Sequence, residues 1–205
     1  MREYLMGGIT ILFILFPMTS MAINTLSQTL TINATELAPT CFLSVGSGAS
    51  GGTKNLGVVD AGDFASNATV DKGNGALLLA LTNCQGIPGN SLRPTIIITG
   101  DTDGLGDPSL YRSADSTSTG VGVILRYCAT DMSSGSQITN ASAPLFWDLT
   151  DERQENGCSI YSADTLPQDN SSIPLYMAMS RGTGPYSGVH SGTLKAKLHF
   201  QFEWH

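Results

Sequence analysis

The chain has 205 residues, ten of them basic, and a formal net charge of −7, a balance that leaves no electrostatic footprint for a nucleic acid. Charged residues make up 13% of it, against roughly 25% in an average soluble protein, and the length suits one domain. Beyond residue 22 no stretch approaches about 18 consecutive apolar residues, which excludes a membrane-spanning helix there.

Residues 1–22 read as an export signal. Arg2 supplies the positive end, Ile9 to Phe16 is almost wholly apolar, and Thr19-Ser20-Met21-Ala22 ends in small residues suited to cleavage. The next segment, Ile23 to Leu37, places Leu26, Leu30, Ile32 and Ala34 on one alternating register, interleaved with Thr25, Thr29, Thr31 and Asn33. Pro39 separates it from the block that opens at Cys41, since proline cannot donate to a sheet ladder. Two readings stand at this point: an ordinary first strand, or a detachable strand that pairs with another molecule.

Cys41, Cys84, Cys128 and Cys158 all lie beyond the signal. An even number in an exported chain points to two disulfides with three connectivities open. Cys41–Cys84 and Cys128–Cys158 is the preferred pairing, because each pair brackets one block of strands and turns. No CxxC spacing occurs, and His190, His199 and His205 lie far along the chain, so no metal site is assigned to the cysteines.

Short β-rich runs at Leu30–Ala34, Cys41–Val45, Leu56–Val59, Ala76–Thr82, Thr95–Thr99, Val121–Tyr127, Ile173–Met179 and Leu194–Trp204 alternate with clusters of Gly, Ser, Asn, Asp and Pro. This spacing predicts an all-β sandwich. The turn Asp101-Thr102-Asp103-Gly104-Leu105-Gly106-Asp107 carries oxygen ligands at alternating positions, as calcium prefers, but lacks the closing Glu of an EF-hand; a tight acidic turn explains it equally. The one Gly-x-Ser-x-Gly string, Gly48-Ala49-Ser50-Gly51-Gly52, lies in a Gly- and Ser-rich turn cluster rather than at a strand-to-helix turn, so it makes no nucleophile elbow, and no His-Glu-x-x-His motif occurs. No catalytic residue and no cofactor is assigned, and the expectation is a non-enzyme.

The final run alternates without a fault. Leu194, Ala196, Leu198, Phe200, Phe202 and Trp204 are apolar; Lys195, Lys197, His199, Gln201 and Glu203 are polar. Successive strand residues face opposite ways, so one face is greasy and the other wet. The terminal carboxylate of His205 is expected at the tip of this strand.

Taken in order, these features resemble the pilins of chaperone–usher fimbriae. The family pattern is matched by the alternating segment Ile23–Leu37, by Cys41-Phe42-Leu43 opening the first strand, and by Leu56-Gly57-Val58-Val59. It is matched again by the apolar run before Cys84, by Gly120-Val121-Gly122, and by Gly192, fourteenth from the end, with the penultimate aromatic Trp204. The resemblance implies an incomplete immunoglobulin-like β-sandwich, residues 38–205, completed by a donor strand from a chaperone or a neighbouring subunit. It implies an exported subunit that passes through the periplasm to a surface fimbrium and contributes to cell adhesion. A periplasmic pilus chaperone would pair along Gly192, Leu194, Ala196, Leu198, Phe200, Phe202, Trp204 and the carboxylate of His205. At an outer-membrane usher, a neighbouring pilin subunit would then replace that strand with its own extension, here Leu26, Leu30, Ile32 and Ala34.

The chain departs from the pattern in three places. Ile23–Leu37 has no glycine, Gln28 and Ala34 standing in the places for one; Trp204 replaces the usual tyrosine; and Cys128–Cys158 is additional to the one bridge most such subunits carry. These point to a minor or specialised subunit. The alternative within the same system is an adhesin whose loops, including Phe146-Trp147, bind a host-surface receptor; only residues 23–40 precede Cys41, which argues against a separate receptor-binding domain.

Overall fold

The computed structural model describes residues 40–46, 52–86, 88–89, 91–102, 106–150, 158, 161, 165–168 and 171–205. The expected signal and the extension with Leu26, Leu30, Ile32 and Ala34 lie outside the described residues. The described chain is built from β-strands and two short 3-10 turns, Ala61–Ala65 and Tyr186–Gly188. In chain order the strands are β1 Thr40–Val45, β2 Thr69–Val70, β3 Ala76–Gln85, β4 Pro94–Gly100, β5 Gly122–Tyr127, β6 Ser136–Gln137, β7 Leu145–Asp148, β8 Ser171–Ser180 and β9 Leu198–Trp204.

They form two antiparallel sheets. One runs β1-β3-β8-β5-β6, with β2 pairing the end of β8; the other runs β7-β4-β9. The alternation within each run decides which side chains enter the space between them. From β3 these are Leu77, Leu79 and Leu81; from β4, Ile96 and Ile98; from β5, Val123 and Leu125; from β8, Ile173, Leu175 and Met177. Leu79, Leu81, Ile96 and Ile98 are fully buried, each contributing ~1.5–3 kcal/mol relative to exposure. Strand β8 is central and buried on both sides: Ala178 joins Leu110 and Ile124 in a small cluster on the outer face. That is why Ile173 to Ala178 reads as a continuous run rather than an alternating one. A third cluster, Phe64, Val70, Val121 and Val189, anchors the first 3-10 turn, whose start is capped by Asp60 Oδ1 accepting from Gly62 N at 2.8 Å.

The disulfides join Cys41 to Cys84, tying β1 to β3, and Cys128 to Cys158. Two expected strands come out differently. Leu56–Val59 belongs to no sheet: Gly57 turns to φ 92° and its N–H is taken by Asn55 Oδ1 at 2.8 Å. Leu56 and Val59 still pack inward while Val58 is 93% exposed. The last strand begins at Leu198 rather than Leu194, because the preceding residues bond to a turn instead of a strand. Strands β2, β6 and β7 were not expected; the first two are only two residues long.

Candidate functional site

The two sheets end on the same side of the sandwich. Among the described residues strand β9 pairs only with β4, and β1 only with β3. The two end strands lie beside each other, with Cα atoms within 8 Å across the gap, and among the described residues no strand bridges them.

The register shows what β9 turns toward that seam. Arg93 and His205 exchange backbone hydrogen bonds at 2.9 and 3.0 Å, and Asp101 N donates to Lys197 O at 3.2 Å. In an antiparallel ladder such exchanges recur at every second residue. With Ile97 opposite Gln201 and Thr99 opposite His199, the odd-numbered residues of β9 bond to β4. Leu198, Phe200, Phe202 and Trp204 therefore direct their N–H and C=O groups to the other edge. Their side chains point inward, and all four are only half-buried, whereas Ile96 and Ile98 opposite Phe202 and Phe200 are fully buried. On the facing side β1 offers Leu43 and Val45, also half-buried, with Phe42 turned outward and 67% exposed. The seam thus joins an apolar floor to a main-chain edge of β9 that has no described partner, the arrangement that templates pairing with a further strand.

Leu194 and Ala196 continue this floor before β9 and pack against the same core. Gly192 does something else. A Cβ there would lie 2.6 Å from Ser118 Cα and closer still to the Ser118 amide, and its φ is 155°. The glycine lets the chain press against the 117–118 backbone. Next to it His190 and Thr119 exchange backbone bonds at 3.2 and 3.3 Å. His205 comes directly after β9, its ring edge-on to Phe146 at 5.8 Å.

Other candidate residues fall away from the seam. Trp147 is buried in the core against Tyr127, centroids 5.1 Å apart, whereas Phe146 is 55% exposed. Asp101 Oδ2 accepts from Ser113 Oγ at 2.9 Å. Asp107 accepts from Ser109 Oγ, Ser109 N and Thr183 N at 2.6, 2.9 and 2.8 Å; the Ser109 hydroxyl above all holds its carboxyl below the ordinary aspartate range. Both carboxylates are engaged by donors of the chain itself, Asp107 tying its turn to Thr183 and Asp101 tying its turn to Ser113, and Asp103 lies outside the described residues. Among the described residues no group of three or more His, Cys, Asp or Glu is placed to hold a metal. Sequence reading missed Arg112 and the hydroxyls of Ser113, Ser116 and Thr117, which hold the approach to β9. The only available signal was the density of Ser and Thr at 113–119.

No family model and no curated protein sequence matches the chain. Among solved structures, the crystal structure of the P pilus rod subunit PapA superposes with a TM-score of 0.51. The match covers 86% of this chain and 100% of that one at 14% identity. The chain has the immunoglobulin-like fold of a pilin.

Proposed function

We propose that this chain is a non-enzymatic structural subunit of a chaperone–usher pilus, a minor or specialised one, which accepts a β-strand along the seam between β1 and β9. The observation that carries this reading is the double character of Leu198, Phe200, Phe202 and Trp204: half-buried side chains and a main-chain edge without a described partner, on one strand. Strand addition answers both needs, because main-chain bonds supply affinity and alternate side chains supply register. A periplasmic chaperone holds the seam first, with its own strand along β9. At the outer-membrane usher a neighbouring subunit's extension replaces it. Leu26, Leu30, Ile32 and Ala34 of this chain are donated to the next subunit in turn, and the fibre contributes to adhesion at the cell surface.

The test separates the two roles. A chain lacking Ile23–Leu37 is expected to co-purify with its chaperone as the parent does and to fail as an internal fibre subunit. A deletion variant that still takes internal positions would contradict the donor role; for the acceptor role, Phe200→Ala is expected to weaken chaperone binding more than Gln201→Ala, whose side chain faces the outside.

A further inference from the structure

The seam is held in two different ways along its length. Strand β9 rests on the β4 ladder. The stretch before it, Thr193–Lys197, rests on side-chain hydroxyls: Thr193 N–H donates to Thr117 Oγ1 at 2.8 Å, Lys195 N–H to Ser116 Oγ at 3.0 Å, and Lys197 N–H to Ser113 Oγ at 3.1 Å. The carbonyls return the contact. Lys195 O accepts from Ser113 N at 2.8 Å and Ser116 Oγ at 3.0 Å, and Thr193 O accepts from Thr117 N at 2.8 Å. Leu194 and Ala196, the first residues of the apolar floor, stand wherever this turn puts them.

The turn belongs to no sheet. It is wrapped around Arg112, which is 5% exposed. One guanidinium nitrogen donates to Ser118 Oγ at 3.3 Å and Val121 O at 3.1 Å; the other donates to Ser116 O at 3.2 Å and to Ser118 O. Its backbone N–H donates to Asp101 O at 2.7 Å, on the same residue whose carboxylate holds Ser113 Oγ. A planar fork of five N–H donors reaches acceptors on three residues at once; an ammonium group, with its donors at one point, cannot.

We propose that Arg112 is a positioning residue for the strand-accepting seam. It shapes the 113–118 turn so that the hydroxyls of Ser113, Ser116 and Thr117 carry Thr193–Lys197, and thereby sets where Leu194 and Ala196 meet an incoming strand. This rests on the reading of the seam as a strand acceptor, and the test keeps the two apart.

Amide hydrogen exchange is measured on the full chain and on Arg112→Met, Arg112→Lys and Ser116→Ala, alongside the rate at which each takes up a synthetic Ile23–Leu37 peptide, followed by tryptophan fluorescence. Arg112→Met is expected to speed exchange at Thr193, Lys195 and Lys197 by about tenfold or more, with His199, Gln201 and Glu203 changed less than about twofold. Arg112→Lys gives an intermediate effect. Ser116→Ala, a milder change should Arg112→Met fold poorly, speeds exchange chiefly at Lys195, and peptide uptake slows in the same order. A uniform rise across both halves of the seam, or none, would overturn the proposal. Absence of uptake by the parent chain would count against the strand-acceptor reading, while the exchange pattern would still decide the role of Arg112.

Discussion

Gly100 closes the inner face of β4, and the ring of Tyr111 takes the space its side chain would fill: a Cβ there would lie 2.6 Å from Tyr111 Cδ1. The ring is fully buried and its hydroxyl has no hydrogen-bond partner among the described residues. Burial pushes its pKa up to about 12 from 10. The folded state therefore holds this proton more tightly than the unfolded chain does. The stability that depends on it is intact below about pH 10 and is lost as the pH rises toward 12. Urea midpoints across that window are expected to fall more steeply for the parent than for Tyr111→Phe. At neutral pH Tyr111→Phe should be at least as stable as the parent, by up to ~1 kcal/mol, because the buried hydroxyl is unsatisfied. Gly192 presents the opposite case. Gly192→Ala forces a Cβ into the Thr117–Ser118 backbone at a positive φ and is expected to cost ~1–3 kcal/mol in the same measurement; an unchanged midpoint would show that this crossing has slack.

Strands that bury several alternate side chains were legible from their residues: β3 with Leu77, Leu79 and Leu81, β4 with Ile96 and Ile98, β9 with Phe200 and Phe202. Periodicity could not show β2 or β6, two residues each, nor β7, where Phe146 and Trp147 do not declare which is buried until Ile97 and Ile96 stand beside them. It could not show the partner of Lys195 or Lys197 either. Alternation reports where a side chain faces, whereas the partner of a backbone N–H is a hydroxyl some eighty residues away. The Leu56–Val59 run has strand composition, yet Gly57 removes it from any ladder. Strand β1 is an edge strand held to β3 by its ladder and by the Cys41–Cys84 bridge, which spans 43 positions. In the loop-closure picture the bridge contributes ~4 kcal/mol. The Cys41→Ser and Cys84→Ser double variant is expected to lose stability of that order by denaturant titration. It should also show faster exchange along β1 than along β5; equal acceleration in both would mean the bridge supports the whole core and not the seam's near wall.

The described residues form a sandwich in which no described strand seals one side. Its core is complete around Leu79, Leu81, Ile96, Ile98, Leu125 and Leu175 and incomplete around Leu198, Phe200, Phe202 and Trp204. A strand laid in the seam must therefore add stability that residues 38–205 do not reach alone. Two aliphatic side chains of such a strand would contribute ~3–6 kcal/mol at about 1.5–3 each when buried. The direct test compares denaturant unfolding of residues 38–205 with that of the same residues carrying a compatible donor strand, the extension of the neighbouring subunit, on a flexible linker after His205. The fused chain is expected to be a monomer more stable by at least ~3 kcal/mol. An unfolding midpoint unchanged by the fusion, or stability in the unfused chain already equal to it, would contradict the open seam as a strand acceptor.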